Sequence, residues 1–372
     1  MSTSATGASM LAAAAAFAAL ASAGCAGAEK LAPIDLDSQT SPVPDDFGRE
    51  AQLEQRYQDV LLPEWESPGL SGWFSGVAGV GISYWVFRSA AEKGAVVLVN
   101  GRAEASLKYV EVIHDLVGQG YSVYALDHRG QGASGRMIES NPQIGYVEFF
   151  NDYVADLHTF VEQVVRSDPH PHLFALSHSL GGAILPLYLH KHPDVFEAVV
   201  LASPMIAPNT GAFPEFAATD IALAGCGWGE GRSYVPGHGD FNAAAEFDDP
   251  GQNVSHSRAR WELKMRQLID HPELRLGGAS YRWLCEALTT AARLRALGQE
   301  SQTRTLLLQA GDEQVVLTKD QDNYCDAAAA CQKIGFEGAF HELLMESDAT
   351  RNRALTMVVR YFDHFALDGG TP

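Results

Sequence analysis

A serine near the middle of the chain has the local surroundings of an enzymatic nucleophile. Ser179 lies in the run Ser177-His178-Ser179-Leu180-Gly181-Gly182, which directly follows the apolar residues Leu173–Leu176. Small residues two positions before and after a serine permit a strained turn between a strand and a helix, on which the hydroxyl is exposed. Bulky side chains at Ser177 or Gly181 would collide with such a turn. The pattern therefore predicts hydrolysis through a serine nucleophile.

Two histidines are placed late enough in the chain to act as the base that this serine needs. For a nucleophile on a turn of this kind, the acid and then the histidine follow in the sequence. Of the thirteen histidines, only His341 and His364 lie beyond the late strand pattern at Thr303–Leu308. His364 falls inside the final helical pattern, whereas His341 follows a strand and a short loop. We expect His341 to be the base that takes the serine proton.

The loop that follows the late strand offers two neighbouring carboxylates. It reads Ala310-Gly311-Asp312-Glu313-Gln314-Val315-Val316. Either Asp312 or Glu313 can orient the imidazole of His341, and aspartate is the commoner residue in that role. The loop itself leaves both carboxylates open as the acid.

Two backbone N–H groups are candidates for binding the oxyanion that develops during the reaction. The first belongs to Leu180, at the start of the helix that follows the nucleophile. The second is expected in the loop after the strand that ends at Val99, which reads Asn100-Gly101-Arg102-Ala103. Gly101 permits a close backbone turn, so the N–H of Arg102 is the expected donor.

The elements that must position these groups alternate between strands and helices. A glycine-containing hairpin at 73–87 precedes buried strands at 95–99, 121–126, 173–176 and 198–201, and helical spacing separates the later strands. Continuous apolar strands joined by helices predict a mostly parallel sheet that is covered on both faces. The alternation stops between 205 and 302 and returns at 303. We therefore expect an α/β core formed by residues 48–204 and 303–372, with a helical cap inserted at 205–302.

The composition excludes some classes of partner. The chain has 372 residues and a formal net charge of -20, with no basic cluster, so a nucleic-acid partner is not expected. No cysteine or histidine spacing resembles a zinc site, and serine catalysis needs no metal or cofactor. Cys325 and Cys331 could pair across a helix end, and Cys226 could pair with Cys285. Four free thiols are the alternative.

The first 47 residues resemble a segment for export rather than part of the core. An alanine-rich apolar run from Leu11 to Ala21 leads into small residues before Cys25. This order predicts an export signal at 1–25 and acylation of Cys25, as in a bacterial lipoprotein. Residues 26–47 are rich in Asp, Ser and Pro and are expected to form a flexible tether. The protein is therefore expected in the bacterial cell envelope, in the periplasm or bound to a membrane by its lipid.

Several separate blocks of this sequence resemble the bacterial lysophospholipase and monoacylglycerol lipase branch of the α/β-hydrolases, which is related to serine aminopeptidases. The blocks in the core are Asn100–Glu104 with Lys108 and Tyr109, Asp127–Arg136, Ser177–Gly182, Leu306–Val316 and Gly338–Glu342. Those in the cap are Asn253–Ser257, Arg260 with Trp261, and Pro272–Gly278. The resemblance covers about residues 50 to 365.

The resemblance implies an α/β-hydrolase fold and the cleavage of a carboxylic ester through an acyl-serine intermediate. In this fold the acid is often followed by one residue and then by two β-branched residues, which favours Glu313 over Asp312. The implied substrate is a single-chain lipid, either a lysophospholipid or a monoacylglycerol. A capped esterase or peptidase for small soluble substrates is one alternative, and an inactive lipid-binding envelope lipoprotein is another.

Overall fold

The computed structural model describes residues 30–36, 47–67, 70–211, 213–243 and 253–367. The predicted export segment 1–25, including Cys25, lies outside these residues. Within the described part of the chain, no helix is both long and apolar enough to cross a membrane.

One eight-stranded sheet organises the described residues. Its strands, in chain order, are β1 Ser71–Ser75, β2 Gly81–Phe87, β3 Gly94–Val99, β4 Tyr121–Leu126, β5 Leu173–His178, β6 Ala198–Ala202, β7 Arg304–Ala310 and β8 Cys331–Phe336. Their spatial order is β1-β2-β4-β3-β5-β6-β7-β8. The pairs β1–β2 and β2–β4 are antiparallel, and all five other pairs are parallel. The predicted α/β-hydrolase fold, with a mostly parallel sheet, is confirmed.

Helices cover both faces of this sheet. The longer ones are α1 Val110–Gly118, α2 Phe150–Gln163, α3 Gly181–Lys191, α4 Glu215–Gly227, α5 Arg258–Asp270, α6 Tyr281–Leu297, α7 Thr318–Ala327 and α8 Asp348–Ala366. Successive strand residues point to opposite faces, so Val97 and Val99 of β3 join the apolar cluster beneath α2 and α3. Val96 and Leu98 join the cluster beneath α1 and α8. This two-sided burial explains why the strands read as continuous apolar runs.

The insertion expected at 205–302 lies between β6 and β7 and contributes α4, α5 and α6. In its described part it adds only isolated bridges to the strand pairing. A buried arginine fastens α5 to the core. Arg260 donates from Nε to Glu111 (2.8 Å), from Nη2 to Asp348 (2.9 Å) and from Nη1 to the Glu346 carbonyl (2.7 Å). Its side chain has no solvent exposure, so these polar contacts fix the position of α5 against the core.

Residues 30–36 are not part of a flexible tether, contrary to the expectation for 26–47. The backbone N–H of Leu31 donates to the Ala329 carbonyl at 2.9 Å. The backbone of Ile34 makes two hydrogen bonds of 2.9 Å with the side-chain amide of Gln332, and Leu36 is buried. The burial of Leu36 in the apolar cluster beneath α1 and α8, and the partners that the backbone gains from Ala329 and Gln332, account for the difference.

The four cysteines among the described residues divide into one disulfide and one pair of thiols. Cys325, in α7, is disulfide-bonded to Cys331, at the start of β8, as the pairing across a helix end predicted. Cys226 and Cys285 are free thiols whose sulfur atoms lie 2.6 Å apart, between α4 and α6 of the cap. The second predicted pair is therefore in contact but not bonded.

Candidate active site

Ser179 lies on the turn between β5 and α3 with a backbone φ of +50°. Such a φ is rare for a residue with a side chain and is found at strained functional turns. The glycine after it is required by contact, because a Cβ on Gly181 would lie 2.0 Å from the Val99 carbonyl oxygen. A Cβ on Gly182 would lie 2.4 Å from the Pro204 side chain. The steric pattern seen in the sequence therefore corresponds to a real constraint where β5 meets α3.

His341 and Glu313 meet at the carboxyl end of the sheet, on the loops that follow β8 and β7. The carboxylate Oε2 of Glu313 lies 2.7 Å from His341 Nδ1, and both side chains are buried. Oε1 of Glu313 accepts hydrogen bonds from the backbone N–H groups of Val315 (2.8 Å) and Val316 (3.3 Å). A neutral His341 that donates from Nδ1 carries its lone pair on Nε2, as a general base requires.

The electrostatics of Glu313 suit a carboxylate that stays ionised. Burial by itself raises the pKa of Glu313. The hydrogen bond and the charge of His341, together with the two backbone N–H groups, outweigh burial and lower this pKa below its usual value. The ionised carboxylate can then stabilise a protonated His341.

The other two sequence candidates occupy different surroundings. Asp312 is exposed, and its backbone N–H donates to the Ala339 carbonyl at 2.9 Å. The structure thus brings Glu313, and not Asp312, to the imidazole of His341. His364 lies inside α8 with its ring against Phe365, on the helix that packs beneath the sheet.

The two expected oxyanion donors lie on the turn that carries the nucleophile and on the loop after β3, the strand that pairs with β5. Leu180 is the N-cap of α3, where the first backbone N–H groups of a helix lack partners within the helix. In the loop after β3, the N–H of Gly101 donates to Glu104 (2.5 Å) and that of Ala103 donates to Gln131 (3.3 Å). These two bonds hold the loop, with Arg102 between them.

A cavity of about 740 Å³ opens onto these residues, and Ser179, His341 and Arg102 contribute to its wall. Most of the remaining wall comes from the cap. The apolar part of that wall includes Ala218, Ile221, Val235, Leu276, Trp283 and Leu284. The volume is typical of small-molecule sites, which range from about 300 to 1,000 Å³. An apolar molecule bound there would have its reacting end at the nucleophile.

A cluster of buried charges beneath the site was not predicted from the sequence. Lys108 Nζ donates to Glu104 Oε1 at 2.5 Å and to Glu342 Oε2 at 2.6 Å, and each side chain is at most 8% exposed. Tyr109 also donates to Glu104, at 2.6 Å. Because Glu104 accepts from the N–H of Gly101 as well, this cluster connects the loop after β3 with the residue that follows His341.

His178, the residue before the nucleophile, completes the cluster. Its Nδ1 lies 3.2 Å from Glu104, and its Nε2 donates to the His341 carbonyl at 3.4 Å. Burial lowers the pKa of His178, but the charges of Glu104 and Glu342 outweigh burial and raise this pKa above its usual value. A protonated His178 and Lys108 then balance two carboxylates, which is the arrangement that buried charges require.

The same cluster contains ligand atoms of a kind that bind metals. One atom each of Glu104, His178 and Glu342 lies within 4.8 Å of the others. The Lys108 ammonium donates to both carboxylates and supplies the positive charge there. The residues present therefore form an ion-pair network and do not fit a metal.

Comparison with known families decides the class of this chain. A family model described as serine aminopeptidase, S33, matches residues 90–348. The chain belongs to this family. The match includes Ser179, Glu313 and His341, and it spans the cap as well as most of the sheet.

Within the S33 family, the chain is similar to lysophospholipases. Lysophospholipase L2 of Escherichia coli strain K12 is 35% identical over 302 residues, which cover 78% of this chain and 86% of that protein. The probable lysophospholipase L2 of Haemophilus influenzae is 30% identical over 322 residues, which cover 85% of this chain and 98% of that protein. The comparison therefore extends over nearly the full length of both relatives.

Among solved structures, the fold is similar to a soluble variant of monoglyceride lipase from Saccharomyces cerevisiae in complex with a substrate analogue. The TM-score is 0.63 at 18% sequence identity, and the match covers 80% of this chain and 95% of that chain. At this identity the likeness concerns the fold alone.

Proposed function

We propose that this protein hydrolyses carboxylic esters of single-chain lipids, with a lysophospholipid or a monoacylglycerol as substrate. The observation that carries the proposal is the contact between Glu313 and His341 at the wall of a cavity that also contains Ser179. The similarity to two lysophospholipases over most of their length supports the substrate class. The apolar wall supplied by the cap suits an acyl chain.

The proposed reaction has two halves. Ser179 Oγ attacks the ester carbonyl while His341 Nε2 takes the hydroxyl proton. The carbonyl oxygen, now negative, is stabilised by the backbone N–H groups of Leu180 and Arg102. The C–O bond to the alcohol breaks, His341 protonates the leaving alkoxide, and an acyl-serine remains. Water then attacks this ester with His341 again as base, which releases the fatty acid and restores Ser179.

Product analysis on three substrates tests this function. Purified protein is incubated with lysophosphatidylcholine, monoacylglycerol and a short-chain ester, and the released fatty acid is quantified. We expect faster release from the long-chain lipids, and none from the Ser179→Ala variant. A preference for short acyl chains would favour the esterase alternative.

A fluorophosphonate probe tests the nucleophile separately from substrate choice. It should label the wild-type protein at Ser179 and leave the Ser179→Ala variant unlabelled. Equal labelling of both proteins, or no labelling of either, would exclude the serine mechanism.

We also propose that the protein is exported and that Cys25 is acylated, which would place it at a membrane of the bacterial envelope. The apolar run at 11–21 and the small residues before Cys25 support this proposal. Radioactive palmitate supplied to expressing cells should label the wild type and not Cys25→Ser. Palmitate on both proteins, or on neither, would contradict acylation of Cys25.

A further inference from the structure

The side chain of Arg102 is held at the wall of the cavity, between the core and the cap. Its Nη2 donates to the Gly277 carbonyl at 2.8 Å, and its guanidinium lies 4.9 Å from the ring centre of Trp283. Gly145 packs against it so closely that a Cβ at that position would lie 2.6 Å from Nη2. The guanidinium therefore has a fixed position in the cavity that contains Ser179.

This guanidinium has no carboxylate partner within ion-pair distance among the described residues. Its Nε is buried and has no hydrogen-bond acceptor in the described part of the chain. The fully buried arginines Arg129, Arg260 and Arg351 each have a carboxylate partner, which is Asp156, Glu111 and Asp115 respectively. A cation kept without a counter-ion is costly, and at a cavity wall it indicates that an anion arrives with the ligand.

The carboxylates that share the cavity wall have hydrogen-bond partners other than Arg102. Glu104 and Glu342 are bound by Lys108. Asp240 accepts hydrogen bonds from Tyr234 and Asn141. Burial lowers the pKa of Arg102, but an arginine remains protonated at neutral pH even after such a shift. The positive charge is thus present and is not neutralised by these side chains.

We propose that Arg102 binds the phosphate of a lysophospholipid, so that the enzyme prefers single-chain phospholipids to monoacylglycerols. The inference rests on the proposed lipid-ester hydrolysis and narrows its substrate class. Guanidinium is the side-chain group that best matches phosphate oxygens, through parallel hydrogen bonds. The hydroxyls of a monoacylglycerol carry no charge and leave the guanidinium unpaired.

The position of Arg102 in the chain fits this role. Its backbone N–H is the proposed donor to the ester carbonyl oxygen, so its guanidinium lies one arginine side chain away from the reacting carbon. In a lysophospholipid the glycerol carbons separate the ester from the phosphate by a comparable number of bonds. The phosphate can therefore reach the guanidinium while the ester carbonyl faces the oxyanion donors.

His238 adds a second donor to the same wall. Its Nδ1 accepts a hydrogen bond from the backbone N–H of Ala279 at 3.0 Å. Burial, and then the charge of Arg102, lower the pKa of His238. The ring is thus neutral at pH 7 and carries its proton on Nε2. This gives the cavity wall an N–H donor next to the Arg102 charge.

The test compares two substrates with the same acyl chain, 1-palmitoyl-lysophosphatidylcholine and 1-palmitoylglycerol, in identical detergent micelles. The first is zwitterionic, so the net charge of -20 on the protein does not by itself repel it. The measured quantity is the ratio of kcat/KM for the phospholipid to kcat/KM for the glyceride. A loss that affects both substrates equally, through a shift of the oxyanion loop, cancels in this ratio.

We expect Arg102→Gln to lower this ratio about tenfold or more, because a charge-assisted phosphate contact is lost. Arg102→Lys keeps the charge but not the fork of donors, so it should restore part of the ratio. Arg293→Gln removes an arginine from the exposed surface of α6 and should leave the ratio unchanged. An unchanged ratio in Arg102→Gln, with either equal losses or no loss on the two substrates, would overturn the proposal.

A binding measurement gives a readout that does not depend on turnover. In the Ser179→Ala background, Arg102→Gln should weaken the binding of lysophosphatidylcholine much more than that of monopalmitoylglycerol. Equal weakening would assign Arg102 to packing between cap and core. If the wild type hydrolyses neither lipid, the proposed function itself fails, which is a different result from an unchanged ratio.

Discussion

The carboxylate of Glu313 lies 2.7 Å from His341 Nδ1 and accepts two further backbone hydrogen bonds, whereas the neighbouring Asp312 is exposed. One residue of difference along the loop decides which carboxylate can hold the imidazole. The loop after β7 turns so that only the second of two adjacent acids points inward.

Exchanging each acid for its amide should separate their roles. Glu313→Gln keeps the shape but removes the charge that stabilises a protonated His341, so we expect kcat to fall by about 10³–10⁴. Asp312→Asn alters an exposed side chain and should change kcat by less than about twofold. Fatty-acid release under saturating substrate measures both. A larger loss in Asp312→Asn would reverse the assignment of the acid.

The turn at Ser179 depends on the glycine that follows it. Gly181→Ala places a Cβ against the Val99 carbonyl oxygen, so we expect a loss of about 1–3 kcal/mol in unfolding free energy, together with slower labelling of Ser179 by fluorophosphonate. Gly118→Ala, at the end of α1, adds a Cβ in open space and should stabilise the protein by about 0.4–1 kcal/mol. Similar effects of the two substitutions would contradict the steric argument.

Removing Arg260 should destabilise the protein, because this side chain joins α5 of the cap to the core. Arg260→Met leaves Glu111 buried without its main partner, and we expect unfolding free energy to fall by about 3–5 kcal/mol in urea titrations. Arg258, on the same helix, forms an exposed pair with Glu262, so Arg258→Gln should cost less than about 1 kcal/mol. If the unfolding free energy falls equally in both variants, Arg260 does not have a special role in holding α5 against the core.

Stability should depend on pH through His178. Its pKa is raised in the folded protein, so the folded state holds this proton more tightly than the unfolded chain does. The resulting stability is fully present below the unfolded pKa, about 6.5, and is lost as the pH rises through the folded value. Urea unfolding between pH 6 and 9 measures the decline.

The pH slope in His178→Gln should be smaller than in the wild type, although the variant is less stable throughout. His190→Gln, which alters a histidine on the surface of α3, should keep the wild-type slope. A His178→Gln protein with the full wild-type slope would show that another group causes the decline.

Much of the fold followed from patterns that the chain displays locally. The apolar run at 121–126 predicted β4 with the bounds that the structure has, because a buried parallel strand is apolar along its whole length. The order of serine, acid and histidine limited the base to His341 or His364. The surrounding pattern then favoured His341, because a loop that follows a strand can be distinguished in sequence from the interior of a helix, where His364 lies.

The buried cluster of Glu104, Lys108, Glu342 and His178 could not be predicted from local sequence patterns. Glu104 and Lys108 are four residues apart, which in sequence is indistinguishable from an ordinary exposed pair. Their burial depends on Glu342, 234 residues after Lys108, and on His178. Contacts of this range arise from sheet topology, and local spacing carries no signal for them. The inward direction of Glu313 is similar, because it depends on how a single loop turns.

The attachment of residues 30–36 along β8 changes how the enzyme would lie at a membrane. Leu31 is the first residue with a backbone hydrogen bond to the core in the described chain, and it is six positions after Cys25. Six residues span at most about 22 Å. A lipid on Cys25 would therefore hold the end of the sheet at which β8 begins near the bilayer, and this end is opposite to the loops after β7 and β8 that carry Glu313 and His341.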